Sequence, residues 1–182
     1  MLSRPMVFGY HGCDARVARQ AVCGETDLVK SESIYEWLGH GTYFWEDSPD
    51  RAMKWAKEKQ EAGTHGIETP AVLGAIIDLG RCLNLIDSEA LDLIKQAHSI
   101  YRLSNETRKN AGAQGKARTL DCAVIETLHA LRAETGKPPF DTVRSFFMEG
   151  QPLYPGAGFR ELDHVQICIR SPEKIRGFFL PR

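Results

Sequence analysis

No stretch of this 182-residue sequence is apolar for long enough to cross a bilayer. Its first residues, Met-Leu-Ser-Arg-Pro-Met-Val-Phe, lack the apolar core and cleavage pattern of a secretory leader, so a cytoplasmic protein is expected. Cysteine is sparse and scattered: Cys13, Cys23, Cys82, Cys122 and Cys168 contain no C-x-x-C pair. An odd count without metal-ligand spacing reads as reduced thiols, and no metal site is expected. No G-x-G-x-x-G follows a strand-like run, so a Rossmann dinucleotide fold has no support. Neither sign of charge dominates, and the formal net charge is −1. Bulk electrostatics therefore do not mark a nucleic-acid binder, which leaves room for a local basic patch. There is no internal repeat and no low-complexity block.

What is present suits one globular domain over residues 1–182. Hydrophobic residues make up 42% and charged residues 26%, and the length can bury a sizeable core. The chain in order gives a strand over 5–11, a short helix over 17–22 and a further helical turn over 33–37. A strand runs from the glycine-rich 38–45 stretch, followed by a helix over 49–62. Ser48 as cap and Pro49 as first helical residue mark its start. The apolar run 71–79 predicts a central strand buried on both faces. A helix over 88–103 and another over 120–134, capped by Thr119, follow. Residues 140–147, 164–170 and 175–180 read as strands, with a Gly/Pro-rich loop over 150–158. Helices inserted among early strands, then strands gathered at the C-terminal end, predict an α+β fold.

Two stretches carry chemistry. Tyr10-His11-Gly12 closes the first strand, where a histidine alone reads as a hydrogen-bonded strand-end residue. Leu38-Gly39-His40-Gly41-Thr42-Tyr43-Phe44-Trp45 follows, with Trp55 on the next helix. Glycines at such a place let main chain approach a ligand or another strand closely. Tyr43 and Trp55 on either side of that turn predict a slot for a flat ring. A lone Trp on a helix is more often core, and the two readings are open for Trp55.

Together, Tyr10-His11-Gly12, the later Gly41-Thr42-Tyr43-Phe44 and the aromatic Trp55 resemble the ADP-ribosyltransferase superfamily. The similarity is to the branch of diphtheria toxin and the poly(ADP-ribose) polymerases, whose sites are summarised as His, Tyr, Glu. It covers the first strand through Trp55 well and the last strands moderately; residues 64–140 carry no matching motif. The resemblance implies a split antiparallel β-sheet core with inserted helices and NAD as co-substrate. It implies that His11 holds a ribose hydroxyl and that the Gly12 backbone clamps the nicotinamide amide. Tyr43 and Trp55 would stack on the ring, with Tyr10, Gly41 and Thr42 beside them. Arg144 would bind pyrophosphate or pair with Asp141 or Glu149.

The third position departs from the family. Its catalytic Glu falls on a late strand, and the aligned residue here is Gln166. A neutral amide hydrogen-bonds a hydroxyl but supplies no charge to an oxocarbenium-like transition state. Glu161, on the loop leading in, is the expected carboxylate, either catalytic or acceptor-selecting, and Glu149 is a further candidate. The implied activity is mono-ADP-ribosyl transfer from NAD to a macromolecular acceptor, protein or nucleic acid. A toxin or defence effector with a neutralising antitoxin would fit, without a membrane partner. The basic residues Arg108, Lys109, Lys116 and Arg118 read as a solvated connection or as a surface for an anionic partner. The rivals are a weakened NAD- or ADP-ribose-binding module, favoured by Gln166, and a related RNA 2'-phosphotransferase. The latter needs a basic cluster in place of the Tyr43–Trp55 pair. A Cys13 nucleophile beside His11 is a fourth reading.

Overall fold

Strand β1 (Met6–Asp14) pairs along its whole length with β3 (Pro70–Asp78), from Met6 opposite Asp78 to Asp14 opposite Pro70. This computed structural model describes residues 6–104, 108–110 and 117–182. β1 runs three residues further than its apolar pattern predicts, because Asp14 ends it. One carboxylate oxygen of Asp14 accepts from Arg16 N and caps α1 (Ala15–Val22). The other accepts from Glu68 N and Thr69 N, which ties α1 to the start of β3.

The remaining elements are β2 (Thr42–Glu46), α2 (Pro49–Glu61), β4 (Cys82–Asn84), α3 (Ser88–Tyr101), α4 (Thr119–Glu134), β5 (Thr142–Phe147), β6 (His164–Ile169) and β7 (Ile175–Phe179). The seven strands form one sheet in the order β4-β5-β6-β2-β1-β3-β7. Only the β4–β5 pair is parallel. The expected α+β class is therefore what the chain adopts: a mostly antiparallel open sheet with four α-helices among the described residues.

Residues directly opposite on paired strands share a face. Tyr10, Trp45, Tyr43, Gln166, Cys168 and Val143 thus lie on one face. That face is covered by α2, through Ala52, Met53 and Trp55, and by α3 with α4, through Ala97, Val124 and Leu128. The opposite face carries Cys13, Phe44, Leu73, Ala75, Ile77 and Ile167. There α1 packs through Ala18 and Ala21. The 71–79 run is buried on both faces as its composition predicts, except that Ile76 is exposed.

Three expectations differ from the structure. β4, which the sequence pattern does not show, is three residues long, too short to show a period, and is formed by parallel pairing with β5. Residues 33–37 form turns rather than helix: Ser33 Oγ accepts from Tyr35 N, an alternative to helical bonding that serine offers its own backbone. Thr119 does not cap α4. It is the first helical residue, and Asn110 Oδ1 accepts from Leu120 N and Asp121 N in the cap's place. No helix among the described residues is long and apolar enough to cross a membrane.

Candidate active site at the parting of two strands

β2 pairs with β1 only at Gly9–Glu46 and Tyr10–Trp45. Beyond Tyr10, β1 continues beside β3 while β2 continues beside β6, with Thr42 opposite Ile169 and Trp45 opposite Gln166. The edge of β1 from His11 onward therefore opens away from β2. A hydrogen bond bridges the parting: His11 Nδ1 lies 2.8 Å from the carbonyl oxygen of Tyr43. A carbonyl only accepts, so Nδ1 carries the proton and Nε2 is the acceptor of the neutral ring. Burial lowers the His11 pKa, with the Tyr43 carbonyl opposing, and this favours the neutral form.

The side chains of His11 and Tyr43 diverge. His11 shares the face of Phe44, whose ring centroid is 5.6 Å away. Tyr43 turns to the other face, where its hydroxyl donates to Gly39 O and accepts from Leu38 N. Burial drives that hydroxyl's pKa well above its ordinary value, so it stays protonated. The ring that packs on Trp55 is Trp45, at 5.8 Å, and His65 and Lys59 take up other parts of the Trp55 surface. Tyr43 and Trp55 are thus each engaged by other groups. Trp45 is the aromatic that the sequence reading passed over. Its position two residues after Tyr43, on the same side of a strand, was the available signal.

The glycines have structural reasons. A Cβ at Gly12 would sit 2.4 Å from Ala52 O and 3.1 Å from the Trp55 ring, so α2 lies directly on β1 there. A Cβ at Gly41 would meet Cys168 Sγ at 2.4 Å and Ile169 O at 2.5 Å. Thr42 is buried beside it. Tyr10, half-buried, makes an edge contact with Phe179.

Gln166 projects from β6 on the Trp45 face. Its Oε1 accepts from Trp37 Nε1 at 2.5 Å. Along the same face, His164 stacks on Phe147 and lies 6.2 Å from the Trp45 ring. Its Nδ1 donates to Leu162 O and is 3.8 Å from Glu149. Glu149 in turn accepts from Arg51 of α2 at 2.7 Å, and the guanidinium lies 5.3 Å from the Trp45 ring. Glu149 is thus a carboxylate held at this face by Arg51 and lying beside His164. Glu161 is exposed, and its carboxylate accepts a long hydrogen bond, 3.4 Å, from Gln151 N within its own loop.

Arg144 lies on the opposite face from Gln166 and is fully engaged there. It holds Glu46 through Nε and Nη2, and Asn84 through Nη1. Its expected partners, Asp141 and Glu149, are bound elsewhere: Asp141 to Lys174 and Arg81 N, Glu149 to Arg51. Cys13 shares the His11 face, as its spacing predicts, but burial and the Asp14 charge push its thiol up to about 11. A thiol with that pKa is not an activated nucleophile at neutral pH. No group of three His, Cys, Asp or Glu side chains able to hold a metal occurs among the described residues. Of the basic stretch, Lys116 lies outside the described residues; Arg108 N donates to Tyr101 Oη and Arg118 pairs with Asp121.

No family model matches the sequence, and no solved structure matches it. The chain is similar to "Uncharacterized protein MJ0359" of Methanocaldococcus jannaschii, with 23% identity over 195 aligned positions. The alignment spans 97% of this chain and 87% of that one.

Proposed function

We propose that this protein binds NAD where β1 and β2 part, breaks its nicotinamide–ribose bond and transfers ADP-ribose to a macromolecular acceptor. One observation carries the reading. The three segments that resemble an ADP-ribosyltransferase lie far apart in sequence, yet they occupy the adjacent strands β1, β2 and β6. The parting of β1 from β2 beyond Tyr10 supports the finer reading of a split sheet.

In this reading the unprotonated Nε2 of His11 accepts from a ribose hydroxyl. The nicotinamide lies at the opened edge of β1 beside the Gly12 main chain, rather than between Tyr43 and Trp55, whose rings face the other side of the sheet from His11. The glycosidic bond breaks with its electron pair going to nicotinamide, and an acceptor oxygen or nitrogen then attacks the ribose C1'. The cationic sugar needs a nearby anion. Glu149, held by Arg51 and facing the Gln166 side, supplies it in place of a strand carboxylate. Gln166 itself binds a hydroxyl or orients Trp37.

The test uses NAD labelled in the nicotinamide ring and, separately, in the adenylate. Wild-type protein should release nicotinamide and pass adenylate label to protein or nucleic acid; His11→Ala and Glu149→Gln should lose both by at least tenfold. NAD binding without release, in a folded protein, would leave the binding module. Absence of NAD binding would end the reading.

A further inference from the structure

A cavity of about 330 Å³ lies between α3, α4 and the turn carrying Trp37. Trp37 is one of its lining residues, and the edge of that indole is fixed by its bond to Gln166. Ile94 and Val124 supply apolar walls. His98, Arg118 and Asp121 bring polar groups to an otherwise apolar lining. Arg118 sets its guanidinium 5.7 Å from the Trp37 ring and 5.0 Å from the Phe147 ring. None of this follows from the strand motifs, and the α3–α4 region carries none of them.

The chemistry selects a class of ligand. A volume at the lower end of ordinary small-molecule sites, roughly 300–1,000 Å³, suits one bicyclic ring and not an extended molecule. Arg118 lies over the Trp37 ring and Phe147 meets that ring at 4.8 Å, and such an Arg–Trp cluster is a surface against which a planar π-system stacks. Asp121 accepts from Asn110 Nδ2 at 2.8 Å and from Arg118 Nη1 at 3.3 Å. An ionised carboxylate has about four acceptor positions, so capacity remains for an amine donor. A flat heterocycle with an exocyclic amino group meets each of these features.

We propose that this cavity is a nucleobase-binding site, with Trp37 as the stacking surface and Asp121 as the acceptor for the base's amino group. The base is either the adenine of a dinucleotide or an unpaired base of a nucleic acid; the recognition chemistry is shared. The site stands independently of whether the protein cleaves NAD.

Isothermal titration of the full chain with adenosine and with inosine tests it. Adenosine should bind saturably, and inosine, which has a carbonyl in place of the amine, at least tenfold more weakly. Ile94→Trp, which fills the cavity from a half-exposed position, should weaken adenosine binding at least tenfold, as should Trp37→Leu. Competition by NAD assigns the base to the dinucleotide. Displacement by single-stranded oligoadenylate with NAD still bound assigns it to nucleic acid. No adenosine binding at millimolar concentration, equal affinity for inosine, or wild-type binding by a folded Ile94→Trp protein overturns the proposal. Should Trp37→Leu fail to fold, Ile94→Trp alone decides. Nicotinamide release is measured separately, so failure of one reading does not imply failure of the other.

Discussion

Arg51 and Glu149 are 2.7 Å apart and come from α2 and from the loop after β5, so one ion pair fastens the covering helix to the far side of the sheet. The two ends are not equivalent. The Arg51 side chain is 8% exposed and that of Glu149 35%. The Nε and Nη1 of Arg51 are buried without a partner, which leaves Glu149 as its principal compensation among the described residues.

That asymmetry gives the first prediction. Glu149→Ala strands a buried cation and should cost about 3–5 kcal/mol. Arg51→Met replaces the cation with a side chain of similar volume and leaves a carboxylate that water can reach. It should cost less, by about 2 kcal/mol or more. Urea unfolding of the two variants checks the order; equal losses would contradict it.

Gln166 offers a second contrast. Gln166→Leu removes the acceptor of Trp37 Nε1 and should cost about 1–3 kcal/mol. Gln166→Glu keeps an acceptor there and adds negative charge to the face of Trp45. Its stability should stay within about 1 kcal/mol of wild type. If the proposed reaction is right, it should also release nicotinamide about tenfold faster. A slower reaction in Gln166→Glu would count against a cationic transition state near this side chain.

Arg144 should behave as a structural residue. Lysine cannot reproduce two parallel bonds to Glu46 and a third to Asn84. Arg144→Lys should therefore lose about 1–3 kcal/mol of stability. NAD affinity should not change, as calorimetry would show. A tenfold fall in affinity with unchanged stability would return Arg144 to the binding site.

Buried histidine sets the acid limit. His129 Nδ1 donates to Ile125 O, and burial, helped by the Arg170 charge, lowers its pKa to about 4. Unfolded, the ring titrates near ~6.5. Between those values the unfolded chain binds a proton that the native ring does not, so stability rises with pH. It falls as pH drops from above 6.5 towards 4, by about 3 kcal/mol for this residue. His11 and His164 are also lowered by burial, and they act in the same direction. His129→Phe should flatten part of the slope in urea midpoints measured from pH 4 to 7.5.

Element type was largely legible because it depends on local pattern. The alternation and apolar runs marked six of the strands, and Ser48 with Pro49 marked the start of α2. β4 was not legible, since three residues carry no period. The cap of α4 was not either, because Asn110 reaches it from outside the helix.

The candidate site divides in the same way. Tyr10-His11-Gly12 and Gly41-Thr42-Tyr43 are continuous segments, and their places on β1 and at the start of β2 could be read from the residues themselves. Side-chain direction could not. Tyr43 spends its hydroxyl on Gly39 and Leu38, Trp55 meets Trp45, and Arg144 is taken by Glu46. Each of those partners is chosen by strand register and helix placement. A register fixes which face a residue occupies, and neighbours on that face come from distant parts of the chain. The sequence alone determined six of the strands, the four helices and the two motif segments, because periodicity and turn chemistry are local. Only the tertiary structure decided that Glu149 rather than Glu161 is held at the Trp45 face, because Arg51 and His164 reach it there from two other elements.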